Sequence, residues 1–212
     1  MIQEPSGRTL STKPTNIKAT RYRDFVSQYP ARTSYFQPVI EKLEYVTPEL
    51  LGKAPFVIVE GITDYYALRL AKELEGLTTP FALMPGAGAG SSGPLISLLL
   101  GRGERFLILL DDDESGRQAA LRYREEWYLP ATSVQTLADL DPKLSGMRLE
   151  NLISSATRNL IKTKYASPRN LTKKVIGLYL AETCAIGGDQ TSFSPETKEK
   201  LLSVLRHLTA RF

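Results

Sequence analysis

Two short apolar runs, each ending in acids, constrain this chain more than any other feature. The first is Phe56-Val57-Ile58-Val59-Glu60-Gly61-Ile62-Thr63-Asp64. The second is Phe106-Leu107-Ile108-Leu109-Leu110-Asp111-Asp112-Asp113-Glu114-Ser115-Gly116. Short apolar runs bounded by turn signals suit strands buried on both faces of a parallel sheet. In open parallel sheets, ligands bind in the crevice beyond the carboxyl ends of the strands. Both runs deliver their acids to that edge. Carboxylates gathered there repel one another unless a positive charge is bound, and a hard divalent cation such as Mg2+ accepts carboxylate oxygens readily.

The rest of the composition narrows the class. A chain of 212 residues can hold one sizeable domain, or one domain with a smaller appendage. No apolar run approaches the roughly 20 residues that a membrane span needs. Met1 to Thr20 is polar and lacks the apolar centre of a signal peptide. The expectation is a soluble, cytoplasmic protein that engages no membrane. The single cysteine, Cys184, excludes an internal disulfide and a multi-cysteine zinc site, and its apolar surroundings make it a buried, inert thiol. His207 lies in an amphipathic helical pattern with no second ligand type nearby, so it reads as structural.

Net charge is +4, unevenly spread. Residues 7–32 carry Arg8, Lys13, Lys18, Arg21, Arg23 and Arg32 against Asp24 alone. Residues 158–174 carry Arg158, Lys162, Lys164, Arg169, Lys173 and Lys174 with no acid. Either run reads as a solvated face or as a surface for nucleic acid. The second gains weight because it accompanies an acidic site.

Along the chain, residues 1–33 read as a flexible lead-in or linker, rich in Pro, Ser and Thr at its start. Short helices are expected at 22–29 and 34–43, with a helical turn at Thr47-Pro48-Glu49. After the strand at 56–60, Tyr66, Leu70 and Leu74 recur at helical spacing, and Gly76 should end that helix. Strands are expected at 80–84, 105–110 and 133–137, alternating with helices at 95–100 and 115–127. This alternation predicts an α/β fold, a mostly parallel sheet flanked by helices on both faces. The core spans 34–145, and a helical subdomain covers 146–212, with helices at 157–164, 171–186 and 194–211. The loop Pro85-Gly86-Ala87-Gly88-Ala89-Gly90-Ser91 lacks the spacing of a dinucleotide or Walker A loop. It reads either as a flexible strand-to-helix turn or as a small-residue loop that lets a phosphate approach the backbone.

Glu60 and Asp64 are one helical turn apart and can face one crevice. Asp111 and Asp113 are separated by one residue and point the same way off an extended end, with Asp112 facing away. An apolar strand ending in Glu-Gly, followed some fifty residues later by one ending in Asp-x-Asp with glycine three further on, resembles a Toprim domain. Val59-Glu60-Gly61-Ile62-Thr63-Asp64, Met84-Pro85-Gly86-Ala87-Gly88 and Leu110-Asp111-Asp112-Asp113-Glu114-Ser115-Gly116 look like OLD-family (overcoming lysogenization defect) nucleases over roughly residues 34–212.

The resemblance implies a Toprim-like, Rossmann-like sheet and a nuclease cutting DNA with two divalent ions, Mg2+ or Mn2+. It implies Glu60, Asp64, Asp111 and Asp113 as metal-binding acids, with Glu150 of Arg148-Leu149-Glu150-Asn151-Leu152 as a further one. It also implies an assisting lysine in the C-terminal helices, taken here as Lys174 with Lys173 close behind. Lys162, Lys164, Arg169 and Lys173 would then face DNA, and Gly86, Gly88, Gly90 and Ser91 would border the site. In that family an ABC-type ATPase domain precedes the nuclease domain. This chain lacks that half, so it is expected to stand alone or to be the C-terminal portion of a longer protein, possibly an oligomer through that domain. Rival readings are a Toprim ribonuclease acting on structured RNA and a Toprim module that binds DNA without cutting. A topoisomerase would need a nucleophilic tyrosine on a separate domain, and Tyr65, Tyr66 and Tyr123 fall in expected packing helices.

Overall fold

The computed structural model describes residues 55–86, 88, 92–165 and 171–212. The expected elements before residue 55, together with Arg169, Gly90 and Ser91, lie outside the described residues. The described residues all fall within one compact unit, Glu41–Phe212.

Four parallel strands form the sheet: β1 (Phe56–Val59), β2 (Ala82–Pro85), β3 (Phe106–Leu110) and β4 (Val134–Thr136), in the order β2-β1-β3-β4. The two acid-bearing strands are therefore the central pair, with Val59 opposite Leu109. Alternation of side chains across a strand divides the core in two. Val57, Val59, Leu107 and Leu109 enter one apolar cluster, and Phe56, Ile58, Phe106, Ile108 and Leu110 enter the other.

The connections are α1 (Ile62–Leu74), α2 (Gly93–Gly101) and α3 (Glu114–Glu126). Helix α1 ends where Gly76 takes a left-handed φ of 59°, as the sequence predicts. Helices α2 and α3 cover the second cluster through Leu95, Ile96, Leu99, Ala119, Ala120 and Tyr123. The α/β sandwich expected from the sequence is thus the architecture observed. Beyond β4 the chain adds α4 (Leu137–Leu140), two 3-10 turns at Pro142–Leu144 and Leu149–Leu152, and then α5 (Ser155–Lys164), α6 (Lys173–Ile186) and α7 (Pro195–Thr209). These C-terminal elements share their apolar core with α1 and the first sheet face: Leu149, Leu152, Ile161, Ile176, Leu180, Leu201 and Leu205 pack into the cluster that holds Val57 and Leu109.

The C-terminal helices are fastened by four buried hydroxyls. Ser154 caps α5 and Ser194 caps α7, and each is followed three residues later by a threonine, Thr157 and Thr197. The backbone N–H of Ser154 donates to Thr197 Oγ1 at 2.9 Å, and that of Ser194 donates to Thr157 Oγ1 at 2.9 Å. The two serine hydroxyls meet at 2.8 Å, and Thr157 Oγ1 donates to Thr197 Oγ1 at 2.8 Å. Each helix start therefore caps the other as well as itself.

Candidate active site at the carboxyl edge of the sheet

The end of β1 is held open for Glu60 by the glycine loop. Gly86 N–H donates to Val59 O at 2.7 Å and Gly88 N–H to Glu60 O at 2.9 Å. A Cβ on Gly86 would lie 2.5 Å from Val59 O, so only glycine fits there. Of the two readings of this loop, its described residues supply a backbone brace for the Glu60 strand end. The second acid strand is set by the same kind of constraint. A Cβ on Gly116 would lie 2.0 Å from Asp111 O, which accounts for the glycine three residues beyond Asp113.

Glu60 Oε2 accepts the Asp111 backbone N–H at 3.2 Å, so the first acid is tied to the strand that carries the second group. Asp64, in the first turn of α1, is buried; its Oδ2 accepts the Gly61 N–H at 3.0 Å, and its Oδ1 has no hydrogen-bond partner. Burial, with repulsion from Asp111 and Glu60 and partial relief from Lys173, pushes the Asp64 carboxyl up to about 7. Asp111 is also buried and is pushed up to about 6, chiefly by burial, although its Oδ1 accepts the Leu149 N–H at 2.7 Å. Glu60, Asp64 and Asp111 line one small hollow with Val59, Leu109, Leu110, Leu137 and Leu149.

Asp112 faces away, as its place in the strand predicts. Its Oδ2 accepts the Gly146 N–H at 2.6 Å, and its own N–H donates to Met147 O at 2.8 Å. Burial would raise its pKa, but the bonds from Gly146, Thr136 and Ser145 and the nearby Arg117 charge outweigh that and hold it low. Asp112 therefore pins residues 146–147, and with them the turn that carries Glu150, to the end of β3.

Asp113 and Glu150 meet other charges. Asp113 caps α3, accepting the Gly116 N–H at 2.8 Å, while its Oδ2 pairs with Arg148 Nε at 2.8 Å. Glu150 lies 3.8 Å from Arg148 Nη1 and 3.7 Å from Lys173 Nζ. Lys173 is drawn toward Asp64, Glu150, Asp111 and Glu60; burial lowers its pKa, and these four acids together raise it above the ordinary value. Lys174, the favoured assisting lysine on sequence, is exposed and forms no ion pair with a described acid, whereas Lys173, also exposed, places its ammonium 3.7 Å from Glu150. Residue counting could not separate the two, because the choice depends on the helical phase set by the Thr172 cap of α6.

The described lysines of the basic run are exposed or part-exposed, whereas its first member is not directed outward. Arg158 turns inward, donating to Glu150 O at 2.7 Å and Ile153 O at 3.0 Å. Lys164 is exposed, pairs with Glu182 at 3.6 Å and sits over the Tyr165 and Tyr179 rings. Lys162 lies on α5, part-exposed. Tyr65, Tyr66 and Tyr123 are buried, as expected. Tyr128 is the exception, 92% exposed at a left-handed φ of 52°, in the α3–β4 connection at the amino edge of the sheet and so opposite the acids. His207 Nδ1 bonds Ser203 O at 2.9 Å, and the Cys184 thiol is pushed up to about 12 by burial, so both are structural. Arg148 is the charged group that sequence reasoning missed.

The donor set suits a hard cation in chemistry: all carboxylate, partly buried, mutually repelling, with one oxygen unpartnered. Among the described residues no three His, Cys, Asp or Glu side chains already converge on one coordination point. A bound ion would have to draw them together.

No protein-family model matches the chain, and no curated protein matches it. Among solved structures it is similar to the C-terminal region of the Burkholderia pseudomallei OLD protein, at 16% identity and a TM-score of 0.39, covering 76% of this chain and 87% of that one. It is similar also to the C-terminal region of the Xanthomonas campestris pv. campestris OLD protein, at 13% identity and a TM-score of 0.43, covering 74% of this chain and 94% of that one. Both neighbours are C-terminal regions of OLD proteins.

Proposed function

We propose that this chain is a divalent-metal-dependent endonuclease that hydrolyses DNA phosphodiester bonds, nicking and cutting both strands, with its active site at the carboxyl edge of β1 and β3. The observation that carries the reading is the pair of buried acids Asp64 and Asp111 beside the part-buried Glu60, with Asp64 Oδ1 unpartnered and Lys173 near the same carboxylates. Ionised Asp64 and Asp111 cost stability in this buried setting unless a cation joins them. Glu60, Asp64 and Asp111 would hold one Mg2+ or Mn2+, and Asp113 and Glu150 would contribute to a second. Such ions supply a water that is nucleophilic near neutral pH and stabilise charge on the leaving oxygen.

The chain's own groups do the rest. Lys173 offers an ammonium to a phosphate oxygen, strongest as negative charge grows in the transition state. Asp112 and Arg158 hold the Glu150 turn in register. The resemblance to OLD nucleases adds an ABC-type ATPase domain as the partner of such a site. A supercoiled-plasmid assay with Mg2+ and Mn2+ titrated tests the proposal. Wild type should yield nicked and linear products that chelation abolishes, and Asp111→Ala should lose about 10²-fold or more in rate. Undiminished cutting by Asp111→Ala would overturn the site.

A further inference from the structure

The acids at the sheet edge fall into two electrically different groups. Glu60, Asp64 and Asp111 face one another with an unpartnered, buried oxygen among them. Asp113 and Glu150 are already matched: both Asp113 oxygens are engaged, one by the Gly116 N–H and the other by Arg148 Nε, and Glu150 lies within 3.8 Å of the same guanidinium. We propose that Arg148 is a built-in counter-ion for Asp113 and Glu150, and that its guanidinium must swing away before a second divalent cation can bind there. This rests on the metal-dependent reading above.

The geometry permits the swing. The Arg148 side chain is 53% exposed, so leaving its acids strands no buried charge on the arginine. Its backbone, by contrast, is fixed. Arg148 N–H donates to Asn151 Oδ1 at 2.7 Å, and the residues on either side are tied to β3, through Asp112 N–H to Met147 O at 2.8 Å and Leu149 N–H to Asp111 Oδ1 at 2.7 Å. The guanidinium therefore turns about an anchored Cα at the mouth of the site. Its planar fork matches a phosphate as well as a carboxylate, so an incoming phosphodiester offers it a second partner. Arg148 is thereby a positioning residue that keeps the site half loaded until substrate arrives. Without nucleic acid, the first cation should bind tightly and the second weakly.

Mn2+ alone, titrated into the 212-residue chain at fixed neutral pH without nucleic acid and followed by the paramagnetic resonance of the free ion, tests this. In Arg148→Gln the second binding event should tighten about tenfold, the scale of one charge-assisted contact, with the first unchanged. Arg148→Lys, which keeps a charge but loses the fork, should fall between. A gain in affinity cannot come from a damaged fold, so the sign separates this role from a structural one. A second event that is unchanged or weaker in Arg148→Gln overturns the proposal and leaves the metal-dependent reading standing. Mn2+ that binds neither protein overturns both.

Discussion

At the scale of single residues, the division between Lys173 and Lys174 is the sharpest consequence of the structure. They are adjacent in sequence and both exposed, yet Lys173 reaches Glu150 at 3.7 Å and feels four site acids, while Lys174 forms no ion pair with a described acid. Lys173→Ala should therefore lower the single-turnover cleavage rate about 10²-fold with only a small loss in DNA affinity, because its charge acts on the transition state. Lys174→Ala should stay near wild type in rate. Equal losses in rate and affinity for Lys173→Ala would reduce it to a phosphate-holding contact. Glu60 and Asp111 were legible in the sequence because each follows directly from where an apolar run stops, and Asp64 because it lies one helical turn beyond Glu60. Arg148 was not legible: its partner Asp113 is thirty-five positions away, and only the pinning of residues 146–149 to β3 brings the two together.

At the scale of elements, the first three strands and the longer helices could be read because burial on both faces leaves uninterrupted apolar runs, and amphipathic burial leaves a helical period. Helix α4 and the two 3-10 turns are three or four residues long, too short to leave any period, and they arise from caps and tertiary bonds. The same limit hid the mutual capping of α5 and α7, since Ser-x-x-Thr repeats forty residues apart look like two ordinary caps. Replacing Thr197 by Val keeps the volume and removes the hydroxyl, leaving the Ser154 N–H and the Ser154, Thr157 and Ser194 hydroxyls short of a partner. Thr197→Val should destabilise the protein by about 1–3 kcal/mol in chemical denaturation, the cost of a buried donor left unsatisfied. A change within a few tenths of a kcal/mol would mean the hydroxyl cluster is incidental.

At the scale of the whole molecule, the acidic edge is a stability liability that varies with pH. Asp64 and Asp111 have folded pKa values near 7 and 6, above the 3.8 of an unperturbed aspartate. Raised carboxyl pKa values favour the fold while the groups are protonated. That contribution is complete below about 4 and is lost as pH rises through about 6 and about 7. The melting temperature of metal-free Asp64→Asn should therefore match wild type below about pH 4 and exceed it increasingly as pH rises to about 7, at about 2–4 °C for each kcal/mol recovered. Adding Mg2+ at pH 8 should raise the melting temperature of wild type and not that of the variant, through preferential binding to the folded state. A wild-type-minus-variant difference that ignores pH would exclude burial of an ionised Asp64 as the cause.

The hydroxyl square also bears on how the C-terminus would behave under deletion mapping. Among the described residues, no α7 side chain pairs with a site carboxylate; its ion pairs run to Glu75, Glu196 and Glu199. Yet a stop codon before Ser194 would strip the start of α5 of its cap partner and open the core beside Leu152 and Ile161. The turn bearing Glu150 would loosen with it. A truncation series would then score α7 as essential to activity, although what it supplies is the footing of a glutamate more than forty residues upstream.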